Sequence, residues 1–190
     1  SQSEIIYLVL IMIATAIPAG FAAGLFGIGG GLVTVPILFY IFSFSGIETA
    51  YVMHLAVGTS FGIIIPTSTV SVLTHHQHKA VDFSIVKGFG FFVATGVILG
   101  TIFAASLETK PLILFFTIIV YVLAFYLLFL KEKETNIEIK IGLFSKAISG
   151  IVSGFISAPM GIGGAVMNVP ILKFFGYPIN KAIGSAAAIG

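Results

Sequence analysis

The sequence predicts an all-α polytopic transmembrane protein with inverted repeats and short or broken helices at two glycine-rich motifs. Three observations carry that prediction. Of the 190 residues, 58% are hydrophobic and only 8% are charged, against about a quarter charged in a soluble domain. Apolar runs long enough to cross hydrocarbon recur along the chain. A signature, "GIGGG" from Gly27, returns as "GIGGA" from Gly161, each followed by a valine–proline pair.

A soluble fold with so few charges would expose wide apolar patches and aggregate. Lipid as solvent removes that difficulty. Cysteine is absent, so disulfide frameworks and thiolate chemistry are excluded. The net charge of +2 arises from nine lysines and no arginine, scattered over short loops. Without a basic patch interleaved with aromatics, nucleic acid is not expected as a partner. Tryptophan is missing, leaving tyrosine and lysine as anchors at the membrane interface.

Ile5 to Phe26 is interrupted only by small or weakly polar residues and Pro18. It is longer than the apolar core of a signal peptide and reads as the first span. Leu32 to Phe44 is 13 residues long. At about 1.5 Å per residue it reaches roughly 20 Å, short of about 30 Å of hydrocarbon. Thr49 to Thr74, Phe83 to Ala105 and Pro111 to Leu130 are long enough to cross. "KEKETNIEIK", Lys131 to Lys140, is the clearly aqueous loop. Ile141 to Met160 spans, Val166 to Phe175 is again short, and a last helix begins near Lys181. Its ten residues fall well below the 20 or so that a span needs, so the sequence is expected to be part of a longer one.

"AGFAAGLFGIGGGLVTVPIL" (Ala19 to Leu38) and "SGFISAPMGIGGAVMNVPIL" (Ser153 to Leu172) agree at 10 of 20 positions. A weaker echo pairs "AVGTS" from Ala56 with "AIGSA" from Ala182. This is read as a duplication: residues 1–135 form the first transmembrane repeat and 136–190 begin the second. Lysine-rich short loops favour the cytoplasm. That places His75 to Lys79 inside, Leu107 to Lys110 outside, and Lys131 to Lys140 inside again. Ser43 to Glu48 then lies outside without a lysine, while its counterpart, Lys173 to Lys181, has two and reads as inside. Corresponding turns on opposite faces mean inverted modules, an arrangement common in secondary transporters.

Glycines at 27, 29, 30 and 31 open conformations closed to other residues, and Pro36 cannot donate an amide. A break followed by a short helix would leave amide donors near mid-membrane, carrying about half a positive charge at the helix N-terminus. Gly27, Pro36, Gly161 and Pro170 are the expected helix-break residues. The candidate substrate contacts are Gly29, Gly30, Gly31, Gly163 and Gly164 through their backbones. Thr34, Asn168, Thr59, Ser60 and Ser185 would contribute side chains. The pairs Gly20/Gly24, Gly58/Gly62, Gly96/Gly100 and Gly150/Gly154 are read as close-packing notches between helices. No acid sits mid-span, so no carboxylate relay is expected here.

His54 is expected at an interface. "HHQHK" (His75 to Lys79) reads as a plain loop without metal, lacking an acidic or cysteine partner. "GIGGG" lacks the Gly-Lys-Ser/Thr ending of a P-loop, and nothing in the chain assembles a catalytic group or calls for a cofactor.

With these motifs in order, "AGFAAGLFGIGGGLVTVPIL", "HLAVGTS" and "GIGGAVMNVPIL … NKAIGSAAAIG" resemble the TauE/SafE sulfite-exporter family over essentially the whole chain. The resemblance implies a bacterial or archaeal plasma-membrane protein of two homologous halves that exports small sulfur-containing anions such as sulfite, sulfoacetate and other organosulfonates. It carries over to Gly27, Gly29, Gly30, Gly31 and Pro36, then to Gly161, Gly163, Gly164 and Pro170. Ala165 departs from the fuller glycine cluster and makes the two motifs unequal. The expected partners are therefore a small anionic substrate, alone or with a coupling ion, and the lipid bilayer. The alternatives are an anion channel built on the same helix ends, or a structural or receptor protein in which the motifs serve packing alone.

Overall fold

The computed structural model describes residues 2–26, 30–129 and 142–190, and all its regular structure is helical. Eight helices follow one another: α1 (Gln2–Phe26), α2 (Gly31–Phe44), α3 (Val52–Gln77), α4 (Phe83–Ser106), α5 (Thr109–Phe129), α6 (Leu143–Met160), α7 (Ala165–Phe174) and α8 (Ile179–Ile189). In hydrocarbon a continuous helix satisfies every internal backbone group, which is why the apolar runs take this form. Helices α1, α3, α4, α5 and α6 are long and apolar enough to span a bilayer, whereas α2 and α7 are short. Large apolar side chains such as Ile17 and Phe21 on α1, and Tyr121 and Leu128 on α5, lie exposed on the outside of the bundle. That exposure suits lipid and would be ruinous in water. The Lys131 to Lys140 loop and the boundary at residue 135 lie outside the described residues, as do Gly27 and Gly29.

Two apolar cores hold the helices together. One gathers Val35, Leu38, Val52, Met53, Leu112, Met160 and Ile162 around α2 and α3. The other joins Ile85, Phe89 and Val93 of α4 to Leu172, Phe175, Ala182 and Ala186 of α7 and α8. The most extensive helix pairing is α4 against α6. Glycines make it possible: a Cβ on Gly96, Gly100 or Gly154 would collide with the carbonyl oxygen of Ile151, Phe155 or Val93 respectively, and one on Gly150 would lie 2.7 Å from Phe92 Cβ. The expected notches at Gly96/Gly100 and Gly150/Gly154 are thus two halves of one crossing. At Gly20, Gly58 and Gly62 the expectation fails, since nothing among the described residues lies within 4 Å of a Cβ there. Spacing marks a helix face but does not name what that face meets.

Two further expectations need revision. Pro36 and Pro170 do not break their helices; each lies inside a continuous helix, at the sixth residue of α2 and of α7. Proline φ fits a helix, and its missing N–H sacrifices one backbone bond. Glycine makes the interruption instead: α6 ends at Gly161 with φ +61°, a left-handed cap closed to most side chains. Likewise His75 and His76 do not form a loop but the last turn of α3, where His78 Nδ1 lies 2.8 Å from the Thr74 carbonyl. His54 sits in the first turn of α3, near the helix end, with Nε2 3.1 Å from the Ala104 carbonyl oxygen.

Candidate functional site

The two glycine signatures, 134 positions apart in the chain, touch. Gly31, the first residue of α2, lies so close to the second break that a Cβ on it would collide with the Gly161 carbonyl oxygen and stand 2.6 Å from Ile162 Cα. Gly161 in turn lies between Val35 Cγ2 of α2 and the Val57 backbone of α3, 3.0 and 3.1 Å from where its Cβ would be. Ser60, buried on α3, donates a 2.7 Å hydrogen bond to the Gly161 carbonyl. The break between α6 and α7 is therefore clasped by the start of α2 and the middle of α3.

Beside this joint is a cavity of about 390 Å³. Gly30 and Thr34 reach it from the start of α2; Gly163, Gly164 and Ala165 reach it from the start of α7. Ser60, Ile63, Ile64, Thr67, Ser68 and Ser71 line it from α3, Ala186 and Ala187 from α8, and Gly20 from α1. No charged side chain is among these lining residues. The first turn of any helix has N–H groups with no intrahelical acceptor, and here two such turns open on one neutral, largely apolar space. Their partial positive charges act together, and the low-dielectric surroundings screen them less than water would.

Of the side chains singled out from the sequence, Thr34 and Ser60 line the cavity. Thr34 hydrogen-bonds the Gly30 carbonyl, and Thr67 and Ser68 likewise bond back to carbonyls of their own helix. Asn168 is fully buried behind the wall, its Nδ2 2.5 Å from where a Cβ of Gly164 would be. Thr59 is half-buried and outside the cavity lining. Ser185 is also outside it: its hydroxyl accepts the Asp82 backbone N–H at 3.0 Å. Sequence reasoning missed Gly20, Ala165, Ala186 and Ala187 as cavity wall. Their lack of polar atoms gave no signal.

Ser185 belongs to a clasp between α8 and the α3–α4 connection. Lys181 Nζ pairs with Asp82 Oδ2 at 3.3 Å, and a Cβ on Gly184 would press to 2.5 Å from the Ala80 carbonyl. Asp82 also caps α4, accepting the Ser84 N–H at 3.0 Å. Burial pushes its carboxyl up, but the hydrogen bonds from Ser84, Lys181 and Ile85 outweigh that and hold it below the ordinary carboxylate range. A depressed folded value stabilises above the unfolded one, about 3.9, and that stabilisation is lost as pH falls through the folded value. Asp82→Ala is accordingly expected to cost about 1 kcal/mol at neutral pH, chiefly through the lost cap. The difference from wild type should shrink in thermal melts as pH falls below the unfolded value, about 3.9. Lys181→Ala should cost less, since the pair is partly exposed.

Among the described residues, no group of three or more histidine, cysteine or acidic side chains is placed to hold a metal ion. The Sulfite exporter TauE/SafE family model matches residues 12–190. A probable membrane transporter protein of Haemophilus influenzae is 33% identical over 96% of this chain and 69% of its own length. Probable membrane transporter proteins of Methanocaldococcus jannaschii and Bacillus subtilis are 28% and 25% identical, covering 70% and 73% of those proteins. No solved structure matches the chain. Five membrane-length helices, a repeated glycine signature and a family match over nearly the whole sequence lead to one assignment: the chain belongs to the TauE/SafE sulfite exporter family and is a multi-pass plasma-membrane transporter.

Proposed function

We propose that this transporter exports small sulfur-containing anions, sulfite or an organosulfonate, through a site between residues 1–135 and 136–190 acting as inverted repeats. The observation that carries the reading is the convergence of two helix starts, α2 and α7, on one cavity free of charged side chains. An anion entering it gives up water, and neutral N–H donors replace that hydration without a lysine to hold it fast. A broken helix exposes carbonyls as well as amides, and carbonyls repel anions. Thr34 covers the Gly30 carbonyl and Ser60 covers the Gly161 carbonyl, which leaves the donors dominant. The two side chains thus condition the site even where they do not touch substrate.

The test is flux of sulfite and organosulfonates in proteoliposomes, with Gly30→Leu beside the wild type. Among the described residues a Cβ at Gly30 meets only Thr34 Oγ1, at 3.6 Å, so the fold has room while the cavity fills. Flux is expected to fall at least about tenfold with the protein still inserted, the equivalent of losing one good binding interaction. Wild-type flux in that variant removes the site, and no movement of any sulfur oxyanion removes the substrate class. Saturable flux driven by an opposing gradient identifies a transporter; conductance proportional to voltage identifies a channel.

A further inference from the structure

We propose that Ser153 is the positioning residue of the second half-site, holding the Asn168 carboxamide so that its NH2 group faces the start of α7 and donates to the oxyanion. This rests on the anion-transport reading above. Ser153 on α6 and Asn168 on α7 are both fully buried, and the Ser153 hydroxyl donates to Asn168 Oδ1. That bond turns the amide nitrogen the other way, toward Gly164. Nδ2 is buried there without an acceptor among the described residues. Gly164 is what gives it space, since a Cβ at 164 would stand 2.5 Å away. The first turn of α7, which opens at Gly164, also carries N–H groups without intrahelical acceptors. A buried donor without an acceptor is costly in isolation, and a ligand oxygen rich in lone pairs relieves it.

One turn along α6, Ser157 is also buried with its hydroxyl unpartnered. The equivalents of Ser153, Ser157 and Asn168 in the first repeat, 134 positions earlier, are Ala19, Ala23 and Thr34. The first half has alanine in place of both serines and a threonine in place of the carboxamide, so the two half-sites are chemically unequal. The ligand class that fits is a sulfonate or sulfite headgroup held by the α7 start, with any organic remainder turned toward the alanine-bearing half.

The sequence holds three asparagines, Asn136, Asn168 and Asn180, so selective 15N-asparagine labelling of the protein in nanodiscs gives a readable set of side-chain amides. Asn168→Asp identifies the Asn168 signal by its loss. Sulfite and methanesulfonate are expected to shift that signal in the wild type, and Ser153→Ala should reduce the shift severalfold. In proteoliposomes Ser153→Ala should raise KM about tenfold, as for one lost charge-assisted hydrogen bond, with the maximal rate within about twofold. Ser153→Cys, nearly isosteric and a weaker donor, should fall between. If Ser153 acts through Asn168, the double variant Ser153→Ala/Asn168→Ala is no worse than Asn168→Ala alone.

A wild-type Asn168 signal indifferent to both anions overturns the proposal. So does an unchanged KM in Ser153→Ala, or additive losses in the double variant. A protein whose Asn168 amide answers to sulfite but which moves none across the membrane refutes sulfite transport while upholding the anion contact that Ser153 positions.

Discussion

Alanine at Gly31 is expected to force the start of α2 away from the break at Gly161 and to abolish transport. The added methyl group would collide with the Gly161 carbonyl oxygen and stand 2.6 Å from Ile162 Cα and 2.8 Å from Ile162 Cγ2. The first two are backbone atoms, and Gly161 cannot yield freely. It holds a left-handed cap at φ +61° and is tied through its carbonyl to Ser60. Overpacking a tight site costs about 1–3 kcal/mol, sometimes more, and backbone against backbone belongs at the top of that range. Thermal melts in nanodiscs should show the loss, and proteoliposome flux should drop to the level of empty vesicles. Gly30→Ala is the control: among the described residues its methyl meets only a side-chain oxygen at 3.6 Å, so stability should stay within about 0.5 kcal/mol. Equal melts for the two variants would refute the contact between the start of α2 and the break at Gly161.

The second large effect is expected at the α4–α6 crossing. A Cβ on Gly154 would run into the Val93 carbonyl and lie 2.7 Å from Val97 N; on Gly96 it would run into the Ile151 carbonyl. Helices in lipid associate by close packing rather than by hydrophobic exclusion, so a spacer here removes the attraction itself. Gly154→Val should separate α4 from α6, at a cost of 3 kcal/mol or more by the overpacking scale. The readout is denaturation midpoint in mixed micelles, or loss of a cysteine crosslink engineered between the two helices on this cysteine-free background. Gly58→Ala and Gly62→Ala, where nothing among the described residues lies within 4 Å, should be neutral or slightly stabilising through better helix propensity. Comparable damage at all these glycines would mean that the crossing has been misplaced.

Much of the fold was legible because hydrocarbon leaves the backbone few choices. Apolar length announces a span, and the observed α3 to α7 start and stop within a few residues of the apolar runs. The second break was legible from Gly161 to Gly164, because clustered glycine in an otherwise helical run has few other uses. Proline was overvalued there: at the sixth position of a short helix it costs one backbone bond and no direction.

The site was legible in part. Gly30, Thr34, Ser60, Gly163 and Gly164 come together on one cavity, since duplicated motifs packed against each other bring equivalent positions near. Thr59 and Ser185 do not, because a one-residue step turns a side chain about 100° around a helix and no periodicity strong enough to fix that rotation exists in so uniformly apolar a chain. Ser153 and Ser157 escaped notice for a related reason. A serine in a membrane helix usually bonds back to its own turn, and only the arrival of Asn168 from α7 distinguishes Ser153 from that common case.

The notch in α4 has a consequence for biogenesis. Its partner α6 is not its neighbour in the chain: α5 and the connection after it are synthesised in between. At about 5–20 residues per second, the groove at Gly96 and Gly100 stands vacant for some seconds after α4 leaves the ribosome. During that interval any passing helix with a small-residue seam is a competitor for it. Cells making this protein at high levels should therefore lose nascent chains to mispairing within the insertion machinery before translation is complete, a tax levied by topology and independent of the finished fold's stability.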